Sequence, residues 1–489
     1  MALRTTVAAF ISLAIASPLS FGPSAETAAQ RGPQIFNSVH DSLRKWGSTV
    51  HPNGMSLYLA TIPEGVLLHH GNGRNETPTS LDWLAYEIEH AEMFARPGRP
   101  GPPGHPGPPG GREELRKRES DQVQLVNPST EPTESTHGWL HTFQTTRPLR
   151  FLYIDGMSGD KGNTGVIDSQ DYLLRGVREH RNGSQVEEKL ETKPPGPPGE
   201  FKRAQDLCDL CTEWRLEGVI RAEGAGFEVI KCDFSSGMEQ VQSLQRADSQ
   251  RGPPQDHEPG DGGHRGPPRG PREGPHPPPN YRDIGPGRTI LDYSSMVSAF
   301  FFPVNLTNPD SNYADLPRLT GTTEDEMLAI REYLATVLDA RIASPLEPFT
   351  WRDVSDLIVH RYGDEISSIA NSSDSTETVA SRIRFLVEVF VDYATSDKDV
   401  RISQAHKRCS TFYIQTMPLN TDADKLIYAG FEAINAEICT ALFKARELLG
   451  ENGTDADSAS LEEIRDTMKA LKMFLSWSDY VGNEDDRFP

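Results

Sequence analysis

The chain has 489 residues, of which 36% are apolar, and its formal net charge is -22. A surplus of acidic side chains repels polyanions, so this balance argues against nucleic acid and anionic membranes as main partners. The length predicts two or three domains, and the 41 glycines and 38 prolines indicate that loops interrupt the globular parts.

The first residues have the pattern of a secretory signal peptide. Arg4 supplies a positive start, residues 7–16 form a short apolar run, and Ala14 and Ala16 provide the small residues of a cleavage site. The run is too short to cross a bilayer as a helix. We therefore expect residues 1–16 to be removed and the mature protein to be secreted and extracellular, with no transmembrane segment.

In a secreted protein, the five Asn-X-Ser/Thr sequons of this chain are candidate glycosylation sites. Each sequon lies in a segment with loop character, and such sequons are the acceptors of N-linked glycans in secreted proteins. The predicted glycosylation sites are Asn75, Asn182, Asn305, Asn371 and Asn452.

Three segments rich in proline and glycine divide the chain. Residues 96–111 carry glycine at every third position, residues 194–199 are shorter, and residues 251–287 have no period. The period of three resembles collagen, but a run this short cannot hold a triple helix alone. All three segments are predicted to be extended, disordered loops.

The predicted fold class is an α+β N-terminal domain with disordered Pro/Gly-rich loop insertions, followed by an all-α helical domain. The α+β domain covers residues 31–245, with insertions at 96–136 and 176–199. Residues 246–288 form a disordered linker, and residues 289–489 form the all-α domain.

Hydrophobic patterns predict the elements of both domains. Thr79 with Asp82 resembles the capping box of a helix over residues 80–95. Strands are predicted at residues 62–71, 139–145 and 149–154, and a hairpin at 218–222 and 226–234. The remaining predicted helices cover residues 201–214, 324–343, 351–361, 376–395, 423–449 and 460–477.

Five cysteines in an exported chain cannot all pair internally. Cys409 and Cys439 flank the last helical region and are predicted to form a disulfide. Cys208 and Cys211 have the spacing of a redox or half-zinc motif, but a zinc site needs a second pair, so no metal site is predicted. One of the two is expected to pair with Cys232; we take Cys211 as the partner and keep Cys208 as the alternative.

Four segments resemble a family of secreted fungal proteins without assigned activity. The first is Tyr153-Ile-Asp-Gly-Met-Ser-Gly-Asp160, and the others lie at residues 166–174, 291–298 and 353–362. The resemblance spans most of the ordered chain. It implies secretion, but it implies no chemistry.

Leu67-Leu-His-His-Gly71 resembles the first motif of ADP-ribosyltransferases of the His-Tyr-Glu type, in which a strand ends in His-Gly. In that family the histidine holds the NAD ribose, a tyrosine stacks on nicotinamide, and a glutamate at the start of a later strand assists at the ribose. The resemblance implies that His70 and Gly71 bind the cofactor and that His70, Tyr153 and Glu228 are catalytic. It requires His70 and Glu228 to share one cleft. The alternative places Glu228 on a solvent-facing hairpin and His70 in a capping role.

The sequence therefore predicts a secreted glycoprotein of unassigned activity. The non-enzymatic interpretation is an extracellular interaction protein with an extracellular protein partner. The enzymatic alternative is an NAD-dependent ADP-ribosyltransferase-like protein, and NAD is expected as a cofactor only in that case.

Overall fold

The computed structural model describes residues 21–96, 137–160, 162, 164–176, 199–246, 284, 287–371, 373–450 and 458–481. The predicted signal peptide and the Pro/Gly-rich segment at 251–287, apart from residues 284 and 287, lie outside these residues. The predicted insertions at 96–136 and 176–199 lie outside them as well, except for their first residues and residue 199.

Nine strands of the described residues form one sheet, in the order β8-β4-β2-β3-β7-β6-β5-β1-β9. The strands are β1 Ser56–Ile62, β2 Leu67–Asn72, β3 Asp82–Ala85, β4 Trp139–Thr145, β5 Leu149–Ile154, β6 Gly218–Glu223, β7 Gly226–Lys231, β8 Met238–Gln245 and β9 Ile290–Ser298. All neighbouring strands are antiparallel except β5 and β6. A parallel pair needs a crossover connection, and the chain between β5 and β6 contains a helix that supplies it.

The α-helices of the described residues fall in a short N-terminal group, two isolated helices and a long C-terminal series. They are α1 Ala25–Gln30, α2 Gly32–His40, α3 Lys45–Val50, α4 Ile88–Glu92, α5 Glu200–Glu213, α6 Glu324–Arg341, α7 Trp351–Asn371, α8 Thr376–Val387, α9 Lys398–Thr411, α10 Asp422–Leu448 and α11 Ser458–Leu475.

Helices cover both faces of the sheet. Neighbouring side chains of a strand point to opposite faces, and on β1 the Tyr58 hydroxyl donates a hydrogen bond to the Ser38 carbonyl of α2. The register from β1 through β5 to β6 places Arg221 on the other face, where it forms an ion pair with Glu200 of α5. Helices therefore cover both faces of the sheet at β1, which explains why every residue of β1 is buried; the edge strand β8 is mostly exposed.

The structure confirms the predicted fold class, an α/β N-terminal region with a curled sheet and a helical C-terminal region. The predicted helices of the C-terminal region are present, although their ends differ.

α9 was not predicted because it buries only Ala405, Cys409 and Ser410, which leaves almost no apolar periodicity. β9 lies in the region assigned to the all-α domain and pairs with β1. The division into separate domains stays a prediction.

The predicted helix over residues 80–95 is wrong in its first half. Residues 82–85 form β3, and only α4 is helical. β3 lies inside the sheet, where Ala85 pairs with His69 on one side and Glu228 on the other. This pairing satisfies the backbone on both sides and overrides the helical periodicity. The predicted strand at 62–71 is also divided, since β1 ends at Ile62 and a turn precedes β2.

Two disulfides join elements of the described chain. Cys409 of α9 pairs with Cys439 of α10, as predicted, and Cys208 of α5 pairs with Cys232. The choice of Cys211 as the partner of Cys232 is therefore wrong. Cys211 is a buried free thiol that donates to the Gly218 carbonyl at 3.4 Å, and burial raises the pKa of this thiol to about 12. Its side chain faces the start of β6, whereas Cys208 reaches the end of β7.

One described helix, α10, has the length and mean hydropathy of a membrane span. Most of its apolar window is buried inside the protein. The core helix of a folded domain has the same composition, so this helix identifies no transmembrane segment.

We expect the double substitution of Cys409 and Cys439 by serine to lower the free energy of unfolding by about 3–4 kcal/mol. The bond closes a loop with a sequence separation of 30, and releasing such a loop restores conformational entropy to the unfolded chain. Urea unfolding of both proteins under non-reducing conditions measures the difference. Under reducing conditions the gap should close, and a gap that persisted there would show that the disulfide is not its source.

Candidate functional site

A cavity of about 380 Å³ lies between α2, the loop after α3, the end of β5 and the end of α11. Its volume falls within the range of small-molecule sites. Its described lining includes side chains from residue 30 to residue 476, so the site exists only when the two ends of the chain meet.

Three of its lining residues form a chain of polar contacts. Oδ2 of Asp41 lies 2.7 Å from Nδ1 of His51, and Nε2 of His51 lies 3.5 Å from Oγ of Ser476. An ionised carboxylate only accepts hydrogen bonds, so Nδ1 carries the proton. When the ring is neutral, the lone pair of Nε2 faces both the Ser476 hydroxyl and Nδ2 of Asn37, each 3.5 Å away.

Asp41 is held in its ionised form. Burial by itself favours the neutral acid, but the hydrogen bond from His51 and the nearby charges of His51 and His40 lower the pKa of Asp41 overall. Oγ of Ser478 donates a further hydrogen bond to Oδ1 at 2.7 Å. Asp41 can therefore orient the His51 ring and stabilise positive charge on it.

The backbone sets the position of Ser476 directly after α11. Ser476 has a φ of 50°, a left-handed conformation that is uncommon for residues other than glycine. The next residue, Trp477, is fully buried and stacks on Phe36 of α2 with ring centroids 5.5 Å apart. This packing holds the strained residue in place, and the Ser476 side chain remains exposed.

Asp155 lies deeper in the cavity wall. Its side chain is buried and accepts a hydrogen bond from the Ser56 backbone N–H at 2.8 Å. Burial raises the pKa of Asp155 to about 7. Asp41 and Asp155 therefore line one cavity with opposite preferences, one ionised and the other neutral in mildly acidic solution.

His40, the residue before Asp41, connects the end of α2 to α7 and to the C-terminal turn. His40 forms ion pairs with Asp356 of α7 at 3.1 Å and with Asp479 of the C-terminal turn at 2.9 Å. Burial opposes the charged imidazole, but the hydrogen bonds to these two carboxylates raise the pKa of His40 overall. The pairs fix the end of α2 against the segment that carries Ser476.

The predicted cleft between His70 and Glu228 does not form. His69 pairs with Ala85, and Ala85 pairs with Glu228, so these three side chains share one face and His70 points to the other. Nδ1 of His70 donates to the Trp83 carbonyl at 2.7 Å. Glu228 is buried and accepts from Nε of Arg221 at 2.9 Å, so the solvent-facing alternative is also wrong.

The other two residues of the ADP-ribosyltransferase resemblance, Tyr153 and Gly71, are packed against neighbouring parts of the protein. Tyr153 is fully buried on β5, four strands from β2, and its hydroxyl accepts from the Leu43 N–H at 3.1 Å. Gly71 packs against α4, where an added Cβ would lie 1.9 Å from the Ala91 carbonyl oxygen. These residues do not fit an NAD site, because their side chains are neither exposed nor directed at one space.

Three of the predicted glycosylation sites lie within the described residues. Asn75 is in the loop before β3, Asn305 follows β9, and Asn371 ends α7, and all three are exposed. Asn182 and Asn452 lie outside the described residues. Within the described part of the chain, no group of three or more His, Cys, Asp or Glu side chains could hold a metal ion.

Sequence reasoning missed Asp41, His51 and Ser476. Each follows the last residue of a helix, and no short motif links them. More than 400 residues separate His51 from Ser476, so a local pattern could not have joined them.

Comparisons with known proteins agree with the predicted fungal family. Residues 28–252 match the family described as the YPL277C N-terminal domain. The chain is 26% identical to the uncharacterized protein YOR389W of Saccharomyces cerevisiae over a 512-residue alignment, which covers 91% of this chain and 77% of that protein. It is 31% identical to the uncharacterized protein YPL277C of the same organism over 223 residues, 43% of this chain and 42% of that protein. No solved structure matches the chain. These matches support an unassigned fungal family.

We expect Asp155→Asn to change how stability depends on pH. The folded pKa of about 7 lies above the ordinary value of 3.8, so between these values the folded state binds a proton that the unfolded state has released. Stability from this group is complete below about pH 4 and falls as the pH rises towards 7, by up to about 4 kcal/mol. Asparagine has the same shape but does not titrate.

The measurement is the free energy of unfolding of both proteins from pH 4 to pH 8. The difference between them isolates residue 155, because His40 titrates in both. Relative to the native chain, the variant should gain stability from about pH 4 to about pH 7, and the difference should level off above that pH. Asp315→Asn, at an exposed aspartate of the same cavity, is the control. Parallel curves for the native chain and Asp155→Asn would contradict the expectation.

Proposed function

We propose that this chain is a hydrolase that acts by acyl transfer, with Ser476 as the nucleophile, His51 as the general base and Asp41 as the group that orients His51. The observation that carries the proposal is the position of the His51 ring between Oδ2 of Asp41 and Oγ of Ser476 at a cavity. A nucleophile within reach of a base, with a third group orienting the base, is the arrangement that activates a serine.

Asp41, His51 and Ser476 can carry out both acylation and deacylation of the serine. Oγ of Ser476 attacks the carbonyl carbon of an ester while its proton passes to Nε2 of His51. Asp41 stabilises the resulting imidazolium, which returns the proton to the departing alcohol as the carbon–oxygen bond breaks. Water then attacks the acyl-serine with His51 again as the base, and this step releases the carboxylic acid and restores the Ser476 hydroxyl.

The separation of 3.5 Å between Nε2 and Oγ is longer than a working hydrogen bond. Catalytic contacts of this kind often tighten only when substrate binds. Ser476 is exposed, so its hydroxyl is accessible to a ligand. Ser478, the neighbouring hydroxyl, is buried and donates to Asp41, so it supports the carboxylate and is not the nucleophile.

We also propose that the protein is exported and glycosylated. The two disulfides support this proposal, because such bonds persist in oxidising compartments. Exposure of Asn75, Asn305 and Asn371 leaves these acceptors accessible to glycosylation. The role of an extracellular interaction protein stays a prediction, and the ADP-ribosyltransferase alternative is not carried forward because His70 and Glu228 lie on opposite faces.

A fluorophosphonate probe, which reacts with activated serines, should label the native chain at Ser476. Ser476→Ala should abolish labelling, and His51→Ala should slow it by about 100-fold or more, the usual contribution of a general base. Ser396→Ala, at an exposed serine far from the cavity in sequence, should label at the native rate. Mass spectrometry of the labelled peptide identifies the site, and unchanged labelling of Ser476→Ala would refute the proposal.

Protein collected from the culture medium of a fungal host should begin after Ala16 and lose mass on glycosidase treatment. The signal pattern and the exposed sequons are the reasons for this expectation. Substitution of Asn75, Asn305 and Asn371 by glutamine should remove part of that mass change. An intact Met1 on protein retained inside the cells would contradict export.

A further inference from the structure

One side chain of α2 caps the end of α11. α11 ends at Leu475, and the last carbonyls of a helix have no partners within the helix. Nδ2 of Asn37 donates hydrogen bonds to the carbonyls of Leu475 and Ser476 at 3.1 and 3.2 Å. Asn37 is buried, so its amide is a fixed donor for both carbonyls. Asn37 therefore binds the backbone of Ser476 directly.

The same amide lies beside the imidazole ring of His51. Nδ2 of Asn37 is 3.5 Å from Nε2 of His51, the atom that also faces Oγ of Ser476. An amide nitrogen carries only two hydrogens, and the two carbonyls are nearer acceptors than Nε2. Asn37 can therefore satisfy both carbonyls while the lone pair of Nε2 stays available to the Ser476 hydroxyl.

α2 supplies the carboxylate of the site from the same face. Asn37 and Asp41 are four residues apart, and the Asp41 N–H donates to the Asn37 carbonyl at 2.8 Å, so one helical turn separates them. Oδ2 of Asp41 accepts from Nδ1 of His51, and Oδ1 accepts from Ser478. One turn of α2 thereby contacts both ring nitrogens of His51 and the segment that follows α11.

Ser476 needs such a contact because its backbone is strained. Its φ of 50° lies in the left-handed region, which costs free energy for a residue with a side chain. The two bonds from Asn37 add to the packing of Trp477 in holding this conformation. A small misplacement of a reacting group lowers the rate of reaction strongly. We therefore expect loss of these bonds to slow the reaction of Ser476.

We infer that Asn37 is a positioning residue for the proposed hydrolase, whose amide holds the Ser476 backbone beside His51 and leaves Nε2 of His51 free to take the serine proton. The inference rests on the proposed roles of Ser476 and His51. Asn37 acts through these two residues and requires no contact with the substrate.

Asn37→Leu removes both N–H donors and keeps a side chain of similar size. With a fluorophosphonate probe, its maximal labelling rate at Ser476 should be about 100-fold lower than the native rate, the cost of misplacing a reacting group by about 1 Å. The probe concentration that gives half of the maximal rate should stay unchanged, because Asn37 acts on Ser476 and not on the probe. Asn435→Leu, at a buried asparagine of α10 outside the described lining of the cavity, is the matched control and should label at the native rate.

Asn37→Asp replaces the amide beside Nε2 of His51 with a carboxylate. In the native chain the ring faces the carboxylate of Asp41 on one side and the neutral groups of Asn37 and Ser476 on the other. A second negative charge in contact with the ring favours its protonated form. The labelling rate should therefore reach half of its maximum at a pH about 1 unit or more above the native value. Asn435→Asp should leave this pH unchanged.

A measurement that needs no catalysis tests the contact with the ring. In the Ser476→Ala chain, NMR signals of the His51 ring report the pH at which half of the rings are protonated, and Asn37→Asp should raise this pH as well. A residue that only supported the fold would not move it. An unchanged value would overturn the inference, and Asn37→Leu decides it alone if Asn37→Asp does not fold.

The labelling experiment separates failure of the positioning role from failure of the hydrolase. If the native chain is labelled at Ser476 and Asn37→Leu reaches the same maximal rate, the positioning role is refuted and the hydrolase stands. If the native chain is not labelled at Ser476, the hydrolase is refuted, and the positioning role falls with it even where NMR shows the contact.

Discussion

The ion-paired end of α2 is the contact on which the rest of this structure depends. His40 binds Asp356 of α7 and Asp479 of the C-terminal turn, and the next residue, Asp41, binds His51 and Ser478. The His40 side chain is buried, so its positive charge depends on these two half-exposed carboxylates as partners. The network therefore fixes the N-terminal helices, the helical region and the last turn in one arrangement.

This arrangement also explains where a site can form. The region that matches the fungal family, residues 28–252, contains Asp41 and His51. Ser476 comes from the far end of the chain and reaches the cavity because Trp477 stacks on Phe36. The chemistry that we propose therefore belongs to the junction of the two regions and not to either region alone.

The sheet explains why the His70-Gly71 and Glu228 motifs predicted a cleft that does not form. His70-Gly71 does lie at the end of a strand, and Glu228 does lie near the start of a later one. Between them lies β3, and its register directs His69 towards the face of Glu228. Because side chains alternate with a period of two, a shift of one residue places His70 on the opposite face.

The sequence by itself determined the features that depend on neighbouring residues. Alternating apolar runs located β4, β5 and the hairpin of β6 and β7, and helical spacing located α5 and most of the C-terminal helices. These patterns succeed because a strand or helix must bury one face whatever it packs against. The Cys409–Cys439 pair was predicted because the two cysteines flank the last helical region, although the helix that carries Cys409 was not predicted.

Only the tertiary structure decided the features that depend on distant partners. It turned residues 82–85 into a central strand, directed Cys208 and not Cys211 to Cys232, and brought Asp41, His51 and Ser476 to one cavity. The physical reason is the same in each case. Local pattern states which face of an element is apolar. Strand register, thiol pairing and the meeting of helix ends depend on partners beyond that pattern, from 24 residues away for Cys208 and Cys232 to more than 400 for His51 and Ser476.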